Sequence, residues 1–499
     1  MPRSLAVLLS VSVSTGCAHS PHYKTPEIPV SARFLGQEAV ESREVQTKAD
    51  LQAWWASFDD PALTRFISLA LDQNLDIAQA AARVAQSRAS LRYAGAALLP
   101  SAHVTAHGAK VYQSLETPLG RVLEATPDFD RTGRSYEANL GASWEIDVFG
   151  GLRRGRDAAR AEYAASEAGA VATRLAVAAQ TADVYVTIRG LQARIAIARQ
   201  QAQTRRRLLA LVQLQYEKGL AAELQVNQAE GSLAEVEAQI PVLEAGLDSA
   251  MNALDVLLGM QPGTYRAELS PALPVPVAPG LVETGTPGEM IRRRPDLIVA
   301  ERRLAAANAR IGAAISEYYP RFSLGALLGS ATTISSGNLF TSAANQALGV
   351  LGLRWRLFDF GRVDAQIAAA RGQEAEALAV YRLAVLRATE DVENAFSALV
   401  KREAQVAILT QGESAFARAR ESSDAAYRGG VVSLIEVLDA DSNLLQVRDA
   451  KAQAQTKAAR AAIASFRALG GGWDARHAGG AGPAATLDGQ VHGHRQSAR

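Results

Sequence analysis

The 499-residue chain has a single cysteine, so no disulfide can form within the subunit. It also lacks a charge of one sign, with 52 basic against 51 acidic residues, and no overall field draws it to a polyanion. Nucleic acid is therefore not an indicated partner. Histidine is scarce, seven in all, and most of these sit near the termini. No phosphate-binding glycine loop, HExxH motif or nucleophile elbow occurs, whereas an enzyme needs convergent polar groups. The chain reads as non-enzymatic, with no metal site and no cofactor beyond a covalent lipid. Past residue 17 no charge-free apolar run reaches the ~20 residues of a spanning helix, so further membrane insertion must use β-strands.

What is present begins with Arg3, an apolar stretch from Leu5 to Val13, and Ser14-Thr15-Gly16-Cys17. That stretch suits a secretion signal over residues 1–16 and is too short for a transmembrane helix. The small-small-Cys ending resembles the bacterial lipobox, with Ser14 where that pattern prefers leucine. The resemblance implies that Cys17 becomes the first mature residue and carries diacylglycerol and an N-acyl chain. Ala18 in the next position then implies sorting to the outer membrane.

Self-comparison organises the rest. Trp144, Phe149-Gly150, Tyr216, Gly219 and Leu258-Gly259 recur 211 residues later as Trp355, Phe360-Gly361, Tyr427, Gly430 and Leu469-Gly470. Upstream the offset is 220, pairing Asp76 with Asp296, Ala89 with Ala309 and Pro100 with Pro320. The nine-residue difference predicts a longer loop in the first copy, between its proline and its tryptophan. The copies span 62–259 and 287–470. Outside them lie a segment over 17–61, a Pro-rich connector over 260–286 expected to contain no helix, and a tail over 471–499 expected to be disordered.

Each copy changes period in the same order. Residues 136–148 alternate, with Tyr136, Ala138, Leu140, Ala142, Trp144, Ile146 and Val148 on one face and polar residues on the other. Leu351, Leu353, Trp355 and Leu357 repeat the pattern opposite Arg354 and Arg356, and weaker strands precede at 101–111 and 321–330. Strand pairs are thus expected within 101–149 and 321–359. Runs of about ten residues suit a tilted strand crossing a bilayer. His103 and His107 share the wet face of their strand and read as lumen-facing polar residues, a metal site being the alternative.

Helical hairpins are expected over 152–258 and 362–469. A seam stepping by four and three from Val177 to Tyr216 is broken only by Thr181 and Arg205. Without proline, 152–216 allows one helix of roughly 100 Å at 1.5 Å per residue. The equivalent seam from Ala388 to Tyr427 includes Arg402, Glu413, Arg420 and Ser423 and is wetter. Glycine at 219 and 430 permits the left-handed conformation that ends a helix, and Pro241 is expected to kink the first return helix. Four strands per chain cannot close a barrel in lipid, so oligomerisation follows; three copies would supply twelve.

Trp54-Trp55, Phe58, Asp60-Pro61, Leu63, Asn74, Asp76-Ile77 and Arg83 resemble the entry signature of the NodT branch of TolC-like outer-membrane factors. Arg294-Pro295-Asp296-Leu297, Glu301, Leu304, Asn308, Ile311-Gly312, Tyr319-Pro320 and Leu357-Phe358-Asp359-Phe360-Gly361-Arg362 extend the match over residues 50–473. The resemblance implies a mixed α/β membrane protein with two internal repeats, forming a homotrimer with a 12-stranded β-barrel, an α-helical barrel and an equatorial belt. It implies an outer-membrane exit duct of a tripartite efflux pump, lipid-anchored and reaching into the periplasm, with a periplasmic adaptor and an inner-membrane pump as partners. It also assigns Glu436, Asp439 and Tyr427 to the periplasmic gate. Lys218, Gly219, Leu220 and Ala221, with Gly430, Val431, Val432 and Ser433, match the adaptor-docking tips. Val432 stands where the family carries a basic latch residue, leaving Arg428 as the nearby cation. A type I protein secretion duct shares this architecture, and a non-catalytic periplasmic coiled-coil scaffold is the competing reading.

Overall fold

The computed structural model describes residues 23–43, 48–281 and 285–473. The expectations for a leader, for acylation at Cys17 and for the tail past residue 473 lie outside the described residues. In chain order come α1 (Gln37–Glu41), β1 (Lys48–Ala49), a 3₁₀ stretch Leu51–Phe58, α2 (Pro61–Gln73), α3 (Leu75–Ala96) and β2 (Ser101–Tyr112). Then follow α4 (Pro118–Glu124), β3 (Thr132–Ile146), α5 (Gly151–Glu217), α6 (Glu223–Leu257), α7 (Arg266–Leu269) and β4 (Gly280–Leu281). The rest are α8 (Pro287–Arg293), α9 (Pro295–Ser316), β5 (Arg321–Thr332), β6 (Asn345–Arg354), α10 (Arg362–Arg428) and α11 (Leu434–Ala468). Lengths recur along the chain: 22 residues in α3 and α9, 12 in β2 and β5, 67 in α5 and α10, and 35 in α6 and α11.

The chain forms two compact units. The first, with residues 85–165 and 300–380, is built on one antiparallel sheet in the order β2-β3-β5-β6. Trp144 donates its indole N–H to Leu98 O at 2.9 Å, and Trp355 donates to Tyr318 O at 3.0 Å. Those carbonyls are themselves 220 residues apart, so the two strand pairs are pinned in the same way. The longer β2–β3 connection holds α4, whose first turn starts at Pro118 behind a Thr117 cap. Two strand ends differ from the sequence pattern. β3 stops at Ile146, because Val148 N–H turns back to Ile146 O at 2.8 Å. β6 stops at Arg354, leaving Trp355 and Leu357 beyond the ladder, where the Trp355 indole is committed to the Tyr318 carbonyl.

Past each strand pair an aspartate starts the long helix. Asp147 accepts from Leu152 N and Arg153 N at 3.1 and 2.9 Å, and Asp359 accepts from Val363 N at 2.9 Å. Gly150 and Gly361 make the intervening turns at φ +80° and +82°, where a side chain would be strained.

The second unit holds 27–84, 166–299 and the residues from 381. Val177, Ile188, Ile195, Ala198, Ala202 and Val212 of the α5 seam are buried. Ile195, Ala198 and Leu243 form a cluster with Leu191, Ile240 and Leu247, and α6 continues through Pro241 beside it. The connector, expected to be free of helix, contains α7, which fits between Pro262 and Pro271 where no proline interrupts it. At the far end of the hairpins Trp54 stacks on Phe466 with centroids 5.3 Å apart. Gly471 N–H reaches Phe466 O and Gly472 N–H reaches Leu51 O, at 2.9 and 2.6 Å. Residues 471 and 472, the first of the expected tail, are thus hydrogen-bonded into this unit. Equivalent side chains close both return helices: Asn74 donates to Leu257 O at 2.8 Å and Arg294 to Ala468 O at 3.1 Å.

Candidate functional site

The ends of the helical hairpins carry the residues that the sequence singled out. In both copies the helix closes with paired backbone bonds across a left-handed glycine, as the Gly219 and Gly430 φ values of +74° and +73° allow. Leu220 N–H bonds Gln215 O and Gly219 N–H bonds Tyr216 O; Val431 N–H bonds Ala426 O and Gly430 N–H bonds Tyr427 O, at 2.8 to 2.9 Å. Each turn then presents one aliphatic side chain outward, with Leu220 and Val431 both 79% exposed. Lys218 and Ser433 are exposed beside them, and Val432 is half-buried.

Glu436 and Asp439 lie one helical turn apart on α11, both exposed. Glu436 folds back to accept Ser433 N–H at 2.9 Å, so it also caps its own helix. Tyr427 donates its hydroxyl to Gln215 Oε1 at 2.7 Å, tying the end of α10 to the end of α5. Arg428 pairs with Asp424 on its own helix at 2.8 Å.

The sequence pattern passed over the group directly behind these carboxylates. Asp441 is buried, and so is Arg205, its Nε 3.3 Å from Asp441 Oδ2. Gln201 Nε2 donates to the same carboxylate. Burial pushes the Asp441 carboxyl up despite the opposing pull of Arg205, Arg420, Gln201 and Arg448. The available signal was Arg205 itself, the one charged residue in a seam otherwise broken only by Thr181, which needs a buried partner. Farther along, Arg194 meets Asp449 at 2.6 Å and Arg460 meets Asp183 at 2.6 Å, binding α5 to α11. On the other hairpin Glu413 accepts from Arg448 and Lys451 at 3.1 and 2.9 Å; Lys451 holds its carboxyl below the usual range against the opposing effect of burial, and Arg448 adds to that pull.

The sheet has two unlike faces. Val104, Leu140, Leu324, Leu328, Leu351 and Leu353 fall on one, and all six are exposed. The other is mixed: it carries His103, His107, Glu137, Asn139 and Gln346, and also the exposed Val111, Leu348 and Val350. There His107 Nε2 lies 3.1 Å from Glu137 Oε2, and Asn139 donates to Glu137 and accepts from Gln346. His103 stands apart, over Gly141. No group of three metal-ligating side chains occurs among the described residues. A largely apolar face backed by one that holds a hydrogen-bonded polar cluster suits strands with lipid on one side and water on the other.

Comparison with known proteins agrees with this geometry. The sequence model described as "Outer membrane efflux protein" matches residues 66–260 and 286–471. The chain is 32% identical to the pyoverdine export outer membrane protein OpmQ of Pseudomonas putida, over 95% of this chain and 98% of that protein. It is 29% identical to nodulation protein T of Rhizobium leguminosarum bv. viciae, over 95% and 94%. The solved structure of the outer-membrane channel OprN superposes with a TM-score of 0.83 at 31% identity, covering 92% of this chain and all of that one.

Proposed function

The chain belongs to the outer membrane efflux protein family, and we propose that three copies of it close a twelve-stranded barrel continued by an α-helical tube. It is an outer-membrane efflux duct that reaches into the periplasm. The observation that carries the trimer is the four-stranded sheet: one face exposes Val104, Leu140, Leu324, Leu328, Leu351 and Leu353, and β2 and β6 each lack a partner on one side among the described residues. Lipid cannot satisfy open strand edges, so they must meet other strands. Twelve strands exceed the roughly eight whose interior side chains fill a barrel, which leaves a lumen.

Within this duct Glu436 and Asp439 form an acidic ring at the periplasmic mouth. Three-fold symmetry gathers six carboxylates there, which favours cations in transit and costs energy at rest. The Tyr427–Gln215 bond holds α10 against α5 near the constriction and has to break or slide if the mouth widens. Leu220 and Val431, with Lys218, Gly219, Gly430 and Ser433, form the tips that a periplasmic adaptor grips, and the adaptor joins the duct to an inner-membrane pump that selects small-molecule cargo. Cys17 supplies a lipid anchor.

Single-channel recording in planar bilayers tests this reading. Wild type should give small cation-selective steps, and a Glu436→Ala, Asp439→Ala double variant should give larger or less selective ones. Conductance untouched by the substitutions would remove the acidic ring and keep the duct. Silence from both, in folded and inserted protein, would remove the trimeric pore.

A further inference from the structure

Charge interrupts the apolar face of the sheet at a single place. Along β2, β3, β5 and β6, the described residues that share a face with Val104, Leu140, Leu324 and Leu351 include no aspartate or glutamate. Their only charged members are Lys110 and Arg134, both exposed, and these stand directly opposite each other. Like charges in a cross-strand pair, with Cβ atoms about 5 Å apart, repel and call for an anion. Among the described residues no carboxylate pairs with either cation. The ion pair of this ladder, His107 with Glu137, lies on the other face, and Asp130 is turned to Thr132 N–H at 2.8 Å.

The pair also sits at a definite height. β2 follows α3 and β3 leads to α5, so the helices lie at one end of the ladder and the 113–131 connection at the other. A duct that reaches into the periplasm with its helices turns that connection outward. Arg134 lies ten residues along β3 from Trp144, roughly 34 Å of strand and about 26 Å of height at a tilt of ~40°. The outward apolar band of a membrane barrel is about 25 Å tall, so with Trp144 at its inner margin the two cations reach the outer one. Tyrosines bracket them, as amphipathic rings do at headgroup level. Tyr136 lies across Gly108, where a Cβ would come within 3.3 Å of the ring, and Tyr112 lies under the Arg131 guanidinium, 4.5 Å from the ring centroid. Arg131 is thereby a third cation at this rim. The second copy has no such cluster. Ser330 and Asn345 oppose each other where the two sequence offsets transpose Lys110 and Arg134, so the ladder itself does not require the charges.

We infer that Lys110, Arg134 and Arg131 form a site, one per chain, for the headgroup of an outer-leaflet lipid that carries more than one phosphate. At that height on the lipid-facing side, headgroups are the anions that a barrel wall meets. Guanidinium groups match phosphate oxygens in pairs, and the lysine adds a mobile point charge. Three cations gathered within a few residues suit a doubly phosphorylated headgroup better than a singly charged one. The inference rests on the duct reading, which gives this face to lipid and the 113–131 connection to the outside.

Retention of diphosphoryl lipid A by the full chain, purified in a neutral detergent, tests the site by native mass spectrometry and thermal unfolding. Wild type should hold up to one such lipid per chain and unfold at a higher temperature with it, and monophosphoryl lipid A should be held more weakly. Lys110→Gln with Arg134→Gln should weaken retention by about 10- to 30-fold, the effect of two cations at an anionic surface. Without lipid the double variant should be no less heat-stable than wild type, because a repelling pair has been removed. Retention that ignores either the second phosphate or the double substitution would overturn the site. Equal stabilisation by inorganic phosphate at the same concentration would overturn the lipid as its occupant. Single-channel recording on the same samples separates this from the duct. Conducting protein with no preference for the diphosphoryl lipid keeps the duct and loses the site; protein silent in bilayers that still shows the preference keeps the site and loses the duct.

Discussion

Asp441 and Arg205 meet 3.3 Å apart in the interior of the second unit, joining α11 to α5 directly behind the exposed carboxylates of Glu436 and Asp439. The pair fixes the azimuth of α11 on α5. A buried pair of this kind contributes little net stability against an apolar replacement, but breaking it leaves a charge unpaired.

Arg205→Met or Asp441→Leu alone should therefore destabilise the protein by about 3–5 kcal/mol in thermal or denaturant unfolding. The double variant should recover most of that loss. A double variant as damaged as the worse single one would mean that the site depends on charge for more than pairing.

Stability should also change with pH through this carboxyl. Its folded value is raised by burial, so its stabilising contribution is complete below the ordinary carboxylate range and is lost as pH rises through the raised value. The stability of wild type minus that of Asp441→Asn should fall as pH rises from about 4. A difference that grows with pH would show that Arg205, Arg420 and Arg448 outweigh burial.

The two helix closures should differ in strength. Arg294 bonds Ala468 O and also pairs with Asp296 and Asp391, whereas Asn74 closes its helix with one neutral bond to Leu257 O, its Oδ1 accepting from Asp76 N and Ile77 N to cap α3. Arg294→Met is expected to cost about 1.5–3 kcal/mol and Asn74→Ser, which keeps a cap acceptor for α3, about 1 kcal/mol. Equal costs in guanidinium unfolding would contradict the charged character of the first.

At the tips, Leu220→Asp with Val431→Asp should abolish drug export in cells while leaving single-channel conductance unchanged, because both side chains point away from their own helices. Loss of conductance as well would place the tips in the pore rather than at the adaptor.

Metabolic labelling with palmitate should mark the wild-type protein and not Cys17→Ala. Label in both, or in neither, would remove the lipid anchor.

Much of this was legible because repeats and periodicity are local. The alternation around Trp144 and the seam from Val177 to Tyr216 anticipated β3 and α5 within a few residues. The strand ends at Ile146 and Arg354 were not legible, since alternation continues through Val148 and Leu357 while the ladder is cut by a turn and by an indole bond. α7 was missed because proline density was averaged over the connector instead of being read between Pro262 and Pro271. Gln215 and Asp441 were missed for another reason: each matters only through a partner far away in sequence, and a polar side chain on a helix does not announce that it will be tied or buried.

Equal helix lengths impose a joint constraint on change. From Gly151 to Glu217 and from Arg362 to Arg428 the count is the same 67 residues. Deleting one residue from α5 alone would swing Leu220 by about 100° around the axis and withdraw it by about 1.5 Å, while Val431 stayed in place. An adaptor that reads both tips would then meet a surface with one ridge turned aside. Insertions and deletions in these rods are thus tolerable in matched sets, preferably whole heptads, and the duct can change its reach only by discrete steps taken in both halves together.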